Sequence, residues 1–224
     1  MCGRFTLASD IDTFLRDMGL ELPDALAHPR RYNIAPSQPV LGIVADPTPR
    51  IEVMEWGFLP VWAKPDTKQV INARVESIAE KKPYYRGAFR SARCAIIADG
   101  FYEWRKAAGG KRPYRIGLRD GGIFTMAGLW SRVNSGDGSE RHTCAIVTVE
   151  ANEMMRDLHD RMPAILQPED LAVWLDPNAK DRELLAAVEP YPSSLMDAYE
   201  VSTMVNSPSN DSPGCIRPIT DDEA

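Results

Sequence analysis

The chain has 224 residues and a formal net charge of −6, and 44% of its residues are hydrophobic and 26% charged. This composition is ordinary for a globular protein of one domain or two small ones, with enough apolar residues for a proper core. No run approaches the roughly 20 apolar residues of a membrane span, and the polar N-terminal segment lacks the pattern of a signal peptide. We therefore expect a cytoplasmic protein with no membrane partner.

The sequence contains four cysteines and three histidines. The cysteines, at positions 2, 94, 144 and 215, form no C-x-x-C pair, so neither a structural zinc site nor a disulfide framework is predicted. We expect free thiols in a reducing compartment, and neither a metal nor another cofactor.

Positive charge is concentrated in the middle of the chain. Between Lys64 and Arg115 there are thirteen Lys or Arg against five acids, a net charge of +8, which leaves −14 for the rest. The overall charge taken alone argues against a nucleic-acid partner, because Lys and Arg neutralise the phosphates. A basic segment inside an acidic protein is what a local anion-binding groove needs, and a solvated charged face is the alternative.

The first residue with distinctive chemistry is Cys2, which follows Met1 directly. If Met1 is removed, Cys2 carries both a thiol, with a reference pKa of about 8.5, and a free α-amine, with one of about 7.7–8.0. An aldehyde can condense with such an amine to an imine, on which the thiol closes to a five-membered thiazolidine. Many proteins carry a cysteine second by chance, so this chemistry depends on support from the rest of the chain.

The first half of the chain predicts a helix, a loop and a hairpin. Residues 9–19 have apolar side chains at helical spacing after a Ser or Asp cap, and Gly19 closes the helix. Residues 23–36 have the composition of a loop. Residues 40–44 and 51–56 read as strands joined by a turn at 46–49, and the aromatic segment that follows is too broken by Gly and Pro to continue the strand.

A strand in the basic segment carries the acid of interest. A helix is predicted near residues 84–91 and a buried strand at 93–98, followed by a turn at 99–100. In residues 101–104 alternation places Phe101 and Glu103 on one face and Tyr102 and Trp104 on the other. A carboxylate flanked by three aromatic residues is partly desolvated and suited to proton transfer, whereas an edge-strand glutamate turned to water is the alternative.

The remaining elements are predicted from local patterns. Strands are expected at 113–118, 123–129, 143–149 and 199–205, with a loop at 134–138, and helices at 151–158, 168–175 and 180–188. The helix at 151–158 would place His159 at its end. Strands cluster in the first two-thirds, so the predicted class is α+β, a single domain around a curved antiparallel or barrel-like β-sheet flanked by helices. The domain covers residues 1–219, and residues 220–224 form a mobile acidic tail.

Seven motifs together resemble the SOS-response-associated peptidase family of abasic-site processing proteins. They occur in the family's order and cover residues 1 to about 219. They are Met1 to Phe5, Tyr32 to Pro36, Trp56-Gly57 with Pro60, Asn72 to Arg74 with Glu76, Ala98 to Trp104, Ala127 to Trp130, and His159 to Pro163. The resemblance implies that the processed N-terminal Cys2 crosslinks the aldehyde of an abasic site in single-stranded DNA through a thiazolidine, which shields the lesion from strand cleavage.

The resemblance also implies a role for each catalytic residue. Cys2 is the nucleophile, and Asn72 orients the Cys2 amine or the sugar. Glu103 is the acid/base that opens the deoxyribose ring, and His159 donates or accepts a proton in imine formation and reversal. The family name further implies autoproteolytic removal of Met1, with Glu103 and His159 as the candidate residues.

DNA contacts are implied in the same way. Arg4, Arg74 and Arg161 match positions that hold phosphates, and Trp62 or its neighbours match aromatic residues that stack beside the lesion. The implied partner is single-stranded DNA containing abasic sites, bound by a monomer that associates with the nucleoid when on DNA. Two other classes remain open: a thiol peptidase acting on other proteins through Cys2 and His159, and a non-covalent single-strand binding module in which Cys2 is dispensable.

Overall fold

The computed structural model describes residues 2–23, 29–45, 48–64, 67–134 and 138–220. These residues contain thirteen strands and five α-helices. The strands are β1 (Phe5–Leu7), β2 (Arg31–Ile34), β3 (Pro39–Ala45), β4 (Pro49–Trp56), β5 (Asn72–Arg74), β6 (Arg93–Ala98), β7 (Gly100–Ala107), β8 (Gly110–Leu118), β9 (Phe124–Asn134), β10 (Glu140–Glu150), β11 (Arg161–Pro163), β12 (Ile165–Leu166) and β13 (Met196–Glu200). The helices are α1 (Asp12–Asp17), α2 (Val75–Ala79), α3 (Pro83–Ser91), α4 (Pro168–Leu175) and α5 (Asp181–Ala186).

Five strands close into a barrel in the order β10, β4, β3, β6 and β9, because β9 also pairs with β10. All of these pairs are antiparallel except β10 with β4. Every residue of β6 is buried, as expected for a strand whose two faces are both covered. Small residues allow the close packing, since a Cβ on Gly128 would lie 2.7 Å from the Cys94 sulfur. The main apolar core fills this barrel and its surroundings.

A second sheet of five strands, in the order β13, β8, β7, β1 and β2, adjoins the barrel. The chain passes from β6 in the barrel to β7 in the second sheet at Asp99. The buried Asp99 carboxylate accepts hydrogen bonds from Thr6, Ala8 and Ser9 and pairs with Arg115. Burial alone would raise the pKa of Asp99, but these hydrogen bonds and the Arg115 charge lower it below its ordinary value. Asp99 thereby fixes β1, and with it the N-terminal segment, against β7.

Several elements match the sequence prediction closely. The hairpin of β3 and β4, the buried strand β6 and the helices α3, α4 and α5 are confirmed. Helices α3 and α4 each begin with a proline in the first turn, where no backbone N–H is needed. The predicted turn at 46–49, loop at 134–138 and tail at 220–224 lie partly outside the described residues. The mixed α+β class with a barrel-like sheet is confirmed.

Three predicted elements are wrong. The loop at 23–36 contains β2, because the Asp211 carboxylate accepts the backbone N–H groups of Tyr32 and Asn33 and holds this segment beside β1. The helix at 151–158 is only a 3₁₀ turn at Met155–Asp157, since Ala151 bonds to Asp160 and closes the segment as a loop. The late strand lies earlier, at β13, where it pairs with β8, and a 3₁₀ turn follows at Thr203–Asn206.

The four cysteines are buried free thiols. Among the described residues, no helix is both long and apolar enough to cross a membrane.

Candidate active site

Cys2 lies at the N-terminal side of β1 and is fully buried. Its backbone carbonyl accepts a 2.8 Å hydrogen bond from the Asn72 side-chain amide. Asn72 begins β5, which pairs in parallel with β10 of the barrel at Ile146. The Asn72 side-chain oxygen is buried and has no hydrogen-bond partner among the described residues. Asn72 therefore fixes the main chain at Cys2 and retains one acceptor for another group.

Glu103 lies on β7 and is 4% exposed. The alternation predicted for this strand is confirmed, because Phe101 belongs to the main core whereas Tyr102 and Trp104 belong to a second apolar cluster. Burial, and then the charge of Glu103, raise the pKa of the Cys2 thiol to about 12. The structure thus brings a nearly buried carboxylate near the thiol, and the reading of Glu103 as a water-facing edge residue is wrong.

His159 lines a cleft of about 460 Å³ together with Glu103, Trp104, Lys111 and Asn206. Its Nδ1 atom lies 3.0 Å from the backbone nitrogen of Arg161 and 2.7 Å from a carboxylate oxygen of Asp160. When the His159 ring is neutral and its proton is on Nε2, Nδ1 accepts the hydrogen bond from the Arg161 backbone N–H. When the ring is protonated, Nδ1–H can donate to the Asp160 carboxylate. Nδ1 therefore has a hydrogen-bond partner in either protonation state of the ring.

Two of the predicted phosphate-binding arginines are held by protein groups. Arg4 donates from Nη1 to the Asn33 side chain and to the Val205 carbonyl, both at 2.7 Å. Arg161 is buried and pairs with both Glu76 carboxylate oxygens, at 2.6 and 3.0 Å. These hydrogen bonds lower the pKa of Glu76.

Arg74 differs from both, because its side chain is exposed at the end of β5. It lines a polar cleft of about 340 Å³ that also includes Arg156 and Arg161. This cleft and the one containing Glu103 are neighbours, since His159 lines one and the adjacent Asp160 lines the other.

Trp62 lies elsewhere. Its side chain is 58% exposed and meets the Tyr84 ring edge-on at 5.9 Å. Phe58, Tyr84 and Trp130 join it around an apolar cleft of about 320 Å³. Among the described residues, no lining residue is shared between this cleft and the one containing Glu103. The structure thus groups Cys2, Asn72, Glu103 and His159 but does not place Trp62 with them.

Three lining residues of the Glu103 cleft were not predicted as site residues. Trp104 is half-buried, and its indole N–H donates to the Asn206 side chain at 2.7 Å. Asn206 comes from a 3₁₀ turn more than one hundred residues away, so no local pattern indicates it. Lys111 could have been found from the sequence, because it belongs to the basic segment. Among the described residues, no group of three or more His, Cys, Asp or Glu could hold a metal ion.

Comparisons with known proteins identify the family of the chain. A sequence model of the SOS response associated peptidase (SRAP) family matches residues 1–208. Similar proteins include the abasic site processing protein YoqW of Bacillus subtilis, 43% identical over 96% of this chain and 99% of its own length. The abasic site processing protein YedK of Escherichia coli is 30% identical over 98% of this chain and 100% of its own.

A solved structure has the same fold. A crystal structure of a protein from Bacteroides thetaiotaomicron superposes with a TM-score of 0.86 and 25% identity, covering 98% of this chain and 100% of that one. The match extends over both the barrel and the second sheet. On the family match and these relatives together, the chain belongs to the SOS response associated peptidase family.

Proposed function

We propose that this protein acts on abasic sites in single-stranded DNA and forms a covalent crosslink to them through Cys2. The bacterial relatives named above are abasic site processing proteins, and they suggest the lesion. The observation that supports the chemistry is the burial of Cys2 near Glu103. The Asn72 side-chain amide also donates a hydrogen bond to the Cys2 backbone carbonyl.

The reaction begins with removal of Met1, which leaves Cys2 with a free amine as well as its thiol. Glu103 and His159, which line one cleft, are the candidates for acid and base in that cleavage. Such self-processing fits the word peptidase in the family name.

The amine is the first nucleophile. In the chain that still carries Met1, burial raises the pKa of the Cys2 thiol to about 12, because burial disfavours the charged thiolate. The amine released by removal of Met1 has a reference pKa of about 7.7–8.0, so an appreciable fraction is neutral and nucleophilic near neutral pH. The amine nitrogen attacks the aldehyde carbon of the ring-opened deoxyribose, and the carbinolamine loses water to give an imine. The thiol then adds across the C=N bond. Sulfur bonds to carbon, the thiol proton ends on nitrogen, and the thiazolidine closes without oxidation or reduction.

Glu103 and His159 have different tasks in this scheme. An abasic deoxyribose is mostly a closed hemiacetal, and only the open aldehyde reacts. Glu103 moves the proton that opens the ring, and its burial keeps water from competing for that proton. His159 exchanges protons with the carbinolamine and the imine, in formation and in reversal. Asn72 holds the Cys2 backbone so that the amine faces the aldehyde. The finished crosslink shields the lesion from strand cleavage.

Among the three predicted arginines, Arg74 is the best-placed phosphate ligand, since it is exposed and lines the cleft next to the one that contains His159. Arg4 and Arg161 contribute chiefly by holding the walls of the site, because their guanidinium groups already bond to protein acceptors.

A denaturing gel tests the proposal. The protein is incubated with single-stranded DNA that contains one abasic site and with the same strand lacking it. We expect a heat-stable adduct with the abasic strand only. Cys2→Ala should abolish this adduct while leaving non-covalent affinity nearly unchanged. The alanine still offers an N-terminal amine once Met1 is removed, so a transient imine trapped by borohydride is expected to persist.

The same experiment separates the alternatives. Cleavage of a peptide panel without any adduct would indicate a thiol peptidase acting on other proteins. A mobility shift under native conditions only would indicate a non-covalent binding module. A Cys2→Ala protein that still forms heat-stable adducts would exclude the thiazolidine.

A further inference from the structure

The hairpin of β7 and β8 carries two pairs of like charges at its tip. Arg105 lies directly opposite Arg112 across the two strands, and Lys106 lies directly opposite Lys111. All four residues are exposed. Like charges that face each other across strands destabilise a hairpin. Folding alone therefore does not favour this arrangement, which suggests an external anion.

The two arginines have partners within the protein. Arg112 lies 3.3 Å from a carboxylate oxygen of Glu200, and Arg105 lies over the Tyr114 ring at 4.7 Å. In contrast, neither Lys106 nor Lys111 forms an ion pair with any residue that the structure describes. The hairpin thus presents two ammonium groups whose charge no described carboxylate neutralises.

The position of these lysines connects them to the candidate site. Lys111 lines the same cleft as Glu103 and His159. Cross-strand partners project from the same face of a sheet, so Lys106 lies on the Lys111 face, and alternation along β7 places Trp104 there as well. A cation pair next to a half-buried aromatic residue is a combination that binds single-stranded nucleic acid without sequence preference.

We propose that Lys106 and Lys111 bind backbone phosphates of the single strand beside the cleft that contains Glu103 and His159. This inference rests on the proposed function for the identity of the polyanion. An ammonium is a compact charge with no fixed bonding plane, so it suits phosphates whose position varies with the strand. Phosphate contacts of this kind position the strand and carry no sequence information.

The test compares two double variants that each remove two positive charges. Lys106→Gln/Lys111→Gln alters the hairpin, and Lys81→Gln/Lys82→Gln alters an exposed turn whose lysines pair with Asp181 and Glu80. Affinity for a single-stranded oligonucleotide without a lesion is measured by fluorescence anisotropy over a range of salt concentrations.

Each phosphate contact with a single strand contributes about 0.7 to the slope of log affinity against log salt concentration. For the hairpin variant, which loses two contacts, we expect this slope to become less steep by about 1.4. The affinity at about 0.1 M salt should fall roughly 25-fold. The turn variant should keep the parent's slope. The melting temperature of the hairpin variant should equal or exceed that of the parent, because a repulsive pair is removed.

A variant that keeps both positive charges separates loss of charge from a change in side-chain shape. Lys106→Arg/Lys111→Arg should keep both slope and affinity, and loss of binding in that variant would overturn the proposal. An unchanged slope in the Gln variant would overturn it as well. Because the oligonucleotide has no abasic site, the result is independent of Cys2 chemistry. Absence of adducts with abasic DNA would therefore refute the proposed function while leaving the hairpin contact standing on its own measurement.

Discussion

The cleft that contains Glu103 and His159 and the apolar cleft beside Trp62 are built in different ways. The first joins groups from distant parts of the chain, and its Glu103 is almost completely buried. The second is lined largely by the segment before β5 and by helix α3, and Trp62 is mostly exposed there. Bond-making chemistry needs groups held in fixed positions, whereas stacking against a base tolerates a side chain that adjusts. Substitution of the acid–base residues Glu103 and His159 should therefore change rates, and substitution of Trp62 should change affinity.

The largest effect is expected for Glu103→Gln, which keeps the shape and removes the proton transfer. The rate of crosslinking to abasic single-stranded DNA should fall on the order of 10²- to 10⁴-fold. The same thiazolidine should still form at long times, because Cys2 is unchanged. Time points on a denaturing gel measure both quantities. Glu80→Gln, at an exposed glutamate, serves as the matched control, and a normal rate in Glu103→Gln would remove Glu103 from the mechanism.

A second effect concerns the reactivity of Cys2 with an alkylating reagent. Burial and the Glu103 charge raise the pKa of this thiol to about 12, so at pH 8 its thiolate fraction should be about 10³-fold lower than in the unfolded chain, where the pKa is about 8.5. Alkylation of the N-terminal peptide, followed by mass spectrometry, should accelerate about tenfold per pH unit up to pH 10.

The sign of the corresponding stability effect follows from the same shift. A thiol whose pKa is raised by folding stabilises the protein fully below about pH 9, and this contribution is lost as the pH rises toward 12. Glu103→Gln should lower the Cys2 pKa and speed alkylation. A rate that levels off near pH 9 would show that the thiol behaves as an exposed one, against the burial described here.

The smallest effect is expected in the other cleft. Trp62→Ala should weaken binding to single-stranded DNA about fivefold, the low end of the range for loss of one base–aromatic stack, because the exposed Trp62 already contacts Tyr84. The crosslinking rate at saturating DNA should stay unchanged. Anisotropy measures the affinity and the denaturing gel the rate. A large fall in the saturated rate would mean that the two clefts act as one site.

Local sequence patterns were sufficient for several elements. The apolar run of β6 and the proline-initiated helices α3 and α4 form as their residues predict. Alternation along β7 correctly separated Phe101, in the main core, from Tyr102 and Trp104, in the second apolar cluster. These features depend on neighbours in the chain, through strand period, helix period and the fixed backbone angle of proline, so they can be read from a short window.

The sequence pattern could not predict which Lys and Arg side chains of the basic segment bond to protein groups and which remain available to a ligand. Arg93 is buried, and it donates to four backbone carbonyls, among them those of Trp174 and Asp176. Arg115 pairs with Asp99, and Lys81 pairs with Asp181. The net charge of the segment therefore overestimates the number of cations available to a ligand, because many of them bond to protein groups more than fifteen residues away in the chain.

The residue types and their order were enough to predict the candidate chemistry: a cysteine second in the chain, an aromatic-flanked glutamate, and a histidine beside Asp160. That these groups come together in one site depends on the tertiary fold. Asn72 reaches the Cys2 carbonyl because β5 adds to barrel strand β10. Cys2 approaches Glu103 because Asp99 fixes β1 against β7. The physical reason is that contacts between residues far apart in the chain depend on strand pairing and on buried hydrogen bonds, and neither has a period that a local stretch of sequence reveals.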